Sequence, residues 1–157
     1  MRTVTLCALL VCLITSVAVA QPFDIRAAAS QAPALEHLQR FDFVDQSRIG
    51  LMGFSWGAMV GLLVNSRAVA EALSPSGRFA SVASFYPACY FSTSRGAVEF
   101  LRPDTDRPTL VLMGELDNLT KTDFQGNRVT YRYDSAVTKD SARRAFDFFA
   151  EHMSARK

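Results

Sequence analysis

Cysteine is scarce in this chain, three in 157 residues, and two of the three, Cys7 and Cys12, fall within the first twenty. Only Cys89 remains beyond them, so no disulfide can form within residues 21–157. Free cysteines are among the most buried residue types, which favours a buried Cys89 over one paired with another chain. Long hydrophobic runs are missing as well. A membrane-spanning helix needs roughly 20 apolar residues, and the run at residues 6–14 is shorter and interrupted by Thr15-Ser16. Neither sign of charge dominates. The net charge is +2, one of those charges is Arg2, and the rest of the chain carries no basic signature for nucleic acid or a membrane surface. Internal repeats and low-complexity segments are also absent. What is present is globular: hydrophobic residues make up 49% and charged residues 20%, well away from disorder.

The N-terminus has the three parts of a secretory signal peptide: Arg2, the apolar run from Leu6 to Ile14, and the small-residue close Ala18-Val19-Ala20. The expectation is a leader over residues 1–20, cleaved to leave Gln21 first, and a secreted or periplasmic protein with no membrane association afterwards. Bulky Val11 before Cys12 argues against lipidation there. Residues 21–157 suit one small domain and leave no room for two.

The patterning past the leader alternates helices with buried strands. Leu35, Leu38 and Phe41 fall at threes and predict a short helix, which Pro33 should confine to its later part. Residues 48–54 form a nearly continuous apolar run, typical of a parallel strand buried on both faces. A helix from Trp56 to about Ala72 follows, its inner face kept small by Gly57, Ala58 and Gly61. Residues 79–86 and 109–113 are two further buried strands, ended by Pro87 and Gly114. Residues 121–127 read as a polar loop, and 128–134 as either an extended segment or a loop. From about Asp134 a last helix runs with Phe146, Phe149, Ala150 and Met153 on one apolar face. Strands alternating with helices predict an α/β fold with a parallel sheet.

One motif carries chemistry. Gly53-Phe54-Ser55-Trp56-Gly57 matches the nucleophile elbow G-x-S-x-G and sits between a buried strand and a helix, as the elbow's mechanics require. At glycine and serine frequencies near 7% the bare pattern arises by chance in about one chain in twenty of this length, so the flanking strand and helix make it informative. A sharp turn would lift the Ser55 hydroxyl clear of the sheet and bring the backbone N–H of Trp56 to the same space as an oxyanion donor. The alternative is a tight strand-to-helix turn in which Ser55 only caps the helix.

Residues 44–57, Val-Asp-Gln-Ser-Arg-Ile-Gly-Leu-Met-Gly-Phe-Ser-Trp-Gly, resemble the elbow region of the dienelactone hydrolase family. Phe85-Tyr86-Pro87-Ala88-Cys89-Tyr90 resembles the family's next strand end, and residues 107–117 resemble the strand and turn that carry its acid. Residues 131–134 with the final helix resemble its C-terminal end. The resemblance implies an α/β-hydrolase fold and a triad in the order nucleophile, aspartate, histidine. It puts Ser55 in the nucleophile position, where founding members have cysteine, and Asp117 in the acid position. The Ser55 difference argues against assuming dienelactone as substrate. Asp117 also reads plainly as a turn residue, Asp-Asn being ordinary turn chemistry. The implied activity is hydrolysis of small carboxylic ester, lactone or amide substrates, without metal or cofactor and without a nucleic-acid partner.

Against the family pattern the chain is short. Only thirteen residues separate Asp117 from Tyr131, where relatives have another strand and the histidine loop, and few precede Arg48. A partial fold of about three parallel strands flanked by helices is expected, without the loop that offers the second oxyanion N–H. A serine hydroxyl needs a base within hydrogen-bond reach. His152 is the one histidine after Asp117, on the last helix, where a surface position is expected; His37 precedes the elbow, where the fold gives histidine no catalytic part. Asn118-Leu119-Thr120 is a glycosylation sequon. The readings are therefore a hydrolase with Ser55, Asp117 and Trp56 but no identified base, a non-catalytic remnant or interaction module, and a rearranged reading of a longer gene. Missing neighbours at both outer strands should expose sheet edges and favour self-association.

Overall fold

The computed structural model describes residues 9–12, 31–73, 77–88, 90–93, 96–114 and 134–154. Most of the expected leader, Cys89, the turn bearing Asp117, the sequon at Asn118 and residues 121–133 lie outside the described residues. The elements begin with β1 (Leu9–Cys12), α1 (Gln31–Gln39), a 3-10 turn (Gln46–Arg48) and β2 (Gly50–Phe54). They continue with α2 (Trp56–Val64), α3 (Arg67–Leu73), β3 (Ser81–Phe85), β4 (Tyr90–Thr93) and β5 (Gly96–Glu99). The last two are β6 (Thr109–Leu112) and α4 (Ser135–Met153).

The three strands read from the sequence lie side by side. β2 pairs in parallel with β3, and β3 with β6, with Phe54 opposite Phe85 and Phe85 opposite Leu112. A fourth parallel strand, β1, pairs with β2 from Leu9 opposite Gly50 to Cys12 opposite Gly53, giving the order β1-β2-β3-β6. β1 comes from the segment expected as leader, so a chain cleaved after Ala20 would not carry it. Patterning did not foresee β1, nor the antiparallel hairpin β4–β5 that stands apart from the sheet.

Burial on both faces explains why β2 and β3 lack polar alternation. Leu51 and Val82 face α1 and α2, clustering with Leu35, Val44, Ile49 and Phe79. Met52, Ala83 and Phe85 face the other way and meet Ala145, Phe149 and Met153 of α4. On the first face α2 lies close to the sheet because Gly61 has no side chain: a Cβ there would stand 3.1 Å from Val82 Cγ1. Ser84, fully buried on the same face, satisfies its hydroxyl by donating to the Ala58 carbonyl at 3.0 Å.

Three sequence expectations need correction. The helix from Trp56 to about Ala72 is two helices, broken at Asn65-Ser66. Asp104 reaches across from a distant loop to accept from the Ser66 hydroxyl at 2.8 Å and the Ala68 N–H at 2.9 Å, which starts α3 afresh. Pro33 does not delay α1; it sits in the first turn, whose N–H groups have no intrahelical acceptor anyway. On α4 the buried stripe is Ala145, Phe149 and Met153, one position round from the expected face, and Phe146 is 62% exposed. The start of α4 was legible: Asp134 caps it by accepting from the Ala136 and Val137 N–H groups.

Candidate active site

The elbow is built by strand, strain and a missing side chain. β2 delivers the chain to the C-terminal end of the sheet, where the Ser55 N–H donates to the Phe85 carbonyl at 2.9 Å and extends the ladder by one residue. Ser55 itself has φ 49° and ψ −116°, a conformation sparsely populated by any residue with a Cβ. From there α2 starts at once, and Met59 N–H donates back to the Ser55 carbonyl at 3.1 Å. The Ser55 side chain is exposed and makes no capping hydrogen bond, so its hydroxyl does not hold the start of the helix. Trp56 is the first residue of α2 and belongs to the turn whose N–H groups point out of the helix's N-terminal end, on the Ser55 side.

A second strained residue stands beside the first. Tyr86, directly after β3, has φ 42°, and it and Ser55 are the non-glycine residues of positive φ among the described residues. Its N–H donates to the Leu112 carbonyl at 2.6 Å. Sequence reasoning passed over Tyr86. The only signal was an aromatic residue wedged between a buried strand and Pro87, and a following proline normally drives its predecessor to extended backbone.

Asp117, expected as the acid, lies outside the described residues. The chain leading to it leaves β6 at the same end of the sheet as Ser55, since Leu112 is opposite Phe85. The histidines lie elsewhere. Arg48 donates from Nη1 to the Met153 carbonyl at 3.1 Å, and a Cβ on Gly50 would meet Met153 Sδ at 2.8 Å, so α4 ends at the N-terminal end of β2. His152, exposed and edge-on to Phe148 at 4.7 Å, neighbours the Met153 that packs on Gly50, and Ser55 lies five residues further along the strand, about 16 Å at roughly 3.3 Å per residue. A base must approach within about 3 Å. His37 packs edge-on against Phe41 near the end of α1, whose final residue, Gln39, meets the loop entering β3 at Gly77. That is again the end away from Ser55.

One network of charged groups also lies at this far end. Asp106 pairs with Arg78 at 2.6 Å and Arg67 at 2.9 Å, and the two guanidinium groups, Arg78 above all, hold its carboxyl down at about 2. Asp104 is likewise held below the ordinary carboxylate range by the Ala68 N–H and the Ser66 hydroxyl. Asn65 ties α2 to β6 by donating to Thr109 Oγ1 at 2.6 Å. This network joins α2, α3 and the strand entrances. In open parallel sheets ligands bind at the exits. Among the described residues no group of three or more His, Cys, Asp and Glu could hold a metal ion, and no helix is long and apolar enough to cross a membrane.

Comparison with known proteins gives one positive finding. The family model described as "Dienelactone hydrolase family" matches residues 16–153, a span that opens inside the expected leader and takes in β2, the elbow, β3, β6 and α4. No curated protein matches the chain. With the match covering most of its length and a parallel sheet flanked by helices, the chain belongs to the dienelactone hydrolase family and has a partial α/β-hydrolase fold.

Proposed function

We propose that the chain is a serine hydrolase of small carboxylic ester, lactone or amide substrates, with Ser55 as nucleophile and the Trp56 N–H as oxyanion donor, and that its turnover is impaired. Asp117 is the acid of this reading. The observation that carries it is the backbone of Ser55: a strained, exposed serine between a buried strand and a helix, its hydroxyl unused in capping. In the proposed reaction Ser55 Oγ attacks the substrate carbonyl, and the Trp56 N–H stabilises the oxyanion. The alkoxide, or the amine after taking a proton from solvent, then leaves, and water hydrolyses the acyl-enzyme and restores the Ser55 hydroxyl.

The impairment follows from where the histidines lie. Both are on helices at the opposite end of the sheet, so the Ser55 proton must pass to solvent. Removing the histidine base from a triad lowers kcat by roughly 10⁶. An active-site-directed fluorophosphonate tests the proposal. Slow labelling confined to Ser55, accelerating as pH rises and lost in Ser55→Ala, is expected. Rapid stoichiometric labelling at neutral pH would overturn the impairment, and no labelling even at alkaline pH would overturn Ser55 as nucleophile.

The same placement of the histidines favours a second reading, a chain that keeps the strand–elbow–strand core as an interaction module without turnover. Under either reading the leader directs the chain out of the cytoplasm, to the periplasm or the medium.

A further inference from the structure

We infer that Tyr86 is a substrate-binding residue of this site and selects an aromatic or similarly large apolar acyl group on the carbonyl that Ser55 attacks. The inference rests on the hydrolase reading of Ser55 and adds a substrate class to it. Strain is the first observation. A bulky side chain at φ 42° is disfavoured in itself and doubly so before Pro87, where glycine would sit without strain. Core packing does not account for it, since Tyr86 is 42% exposed while its neighbours Phe85 and Pro87 are buried.

Position is the second observation. The two strained residues follow registered neighbours, Phe54 and Phe85, at adjacent strand exits, and each is pinned by a ladder hydrogen bond to the next strand. The Phe54 ring stacks on Phe85 with centroids 4.7 Å apart and lies 6.2 Å from the Tyr86 ring. Met113, 44% exposed, follows β6 at the same end. Phe54 and Tyr86 thus bring two aromatic rings together at the strand exits, directly before Ser55 in the chain and at the end of the strand next to it. An acetyl group on Ser55 has too little surface to gain from such a pair of rings; a phenyl ring stacks on it.

The chain's single tryptophan is Trp56, so its fluorescence reports ligands at the elbow without any need for turnover. Phenylacetamide should shift Trp56 emission saturably and acetamide should not. Binding should weaken about tenfold in Tyr86→Ala, the loss of one aromatic contact, and persist in Tyr86→Phe. Tyr86→Gly relieves the backbone and should melt no lower than the parent while binding as poorly as Tyr86→Ala. Absence of a saturable shift with phenylacetamide, or equal binding by Tyr86→Gly and the parent, overturns the inference. Failure of fluorophosphonate to label Ser55 in a protein that binds phenylacetamide would instead sink the hydrolase reading and leave the binding site standing.

Discussion

Gly53 is the residue on which the elbow turns. A Cβ built there would stand 2.7 Å from the Ala58 nitrogen and still nearer the Gly57 carbonyl, both backbone atoms that no rotamer change can move. The close approach of strand end and helix start is what projects Ser55 at positive φ, so the glycine and the strained serine form one device. Gly53→Ala is expected to destabilise the fold by about 2 kcal/mol or more, by forcing overpacking against backbone, and to abolish slow labelling of Ser55 in whatever fraction stays folded. Urea unfolding with parallel labelling measures both; a variant of parental stability would mean that the turn is looser than its geometry implies. The G-x-S-x-G spacing made this legible in the sequence, because its glycines have a steric reason. Tyr86 was not legible, because positive φ at a tyrosine comes from the strands on either side and leaves no local trace.

At the scale of elements, α4 shows where periodicity stops being informative. Phe146, Phe148 and Phe149 lie within four positions, and any of them could face the core on a hydrophobic count. Contact with the sheet decides: Phe149 stacks among Met52, Phe85 and Met153, while Phe146 is exposed. Phe149→Ala should therefore cost about 3–5 kcal/mol, and Phe146→Ala less than about 0.5 kcal/mol. Chemical denaturation of the two variants separates the faces, and comparable losses would return the stripe to the position periodicity gave it. The break between α2 and α3 has a similar origin. The local part is slight, the Ser66 hydroxyl accepting from the Val69 N–H at 3.3 Å as an N-cap; Asp104, 38 residues on, completes the break by accepting from the Ser66 hydroxyl and the Ala68 N–H.

At the scale of the whole molecule the described sheet is narrow, four strands ending at β1 and β6. We expect self-association through these edges, since strands with unpaired N–H and C=O groups invite another chain. The effect should be strongest in a chain beginning at Gln21, where loss of β1 opens the β2 edge, whose residues are buried on both faces. Sedimentation velocity of residues 21–157 against the full chain tests this: a compact monomer in both would show that other segments close the sheet.

The sequence by itself determined the fold class, the strands β2, β3 and β6 and the elbow, because apolar strand runs and a G-x-S-x-G turn leave composition and spacing that survive without neighbours. It also limited the histidines open to any role in the site to two, His37 and His152. Only the tertiary structure decided where those histidines stand relative to Ser55, which α4 residues face the core, where the second helix breaks, and that Tyr86 shares the strand exits with the elbow. Each of these depends on contacts between residues tens of positions apart, such as Arg48 with Met153 and Ser66 with Asp104, and pairings of that kind are set by packing rather than by local propensity.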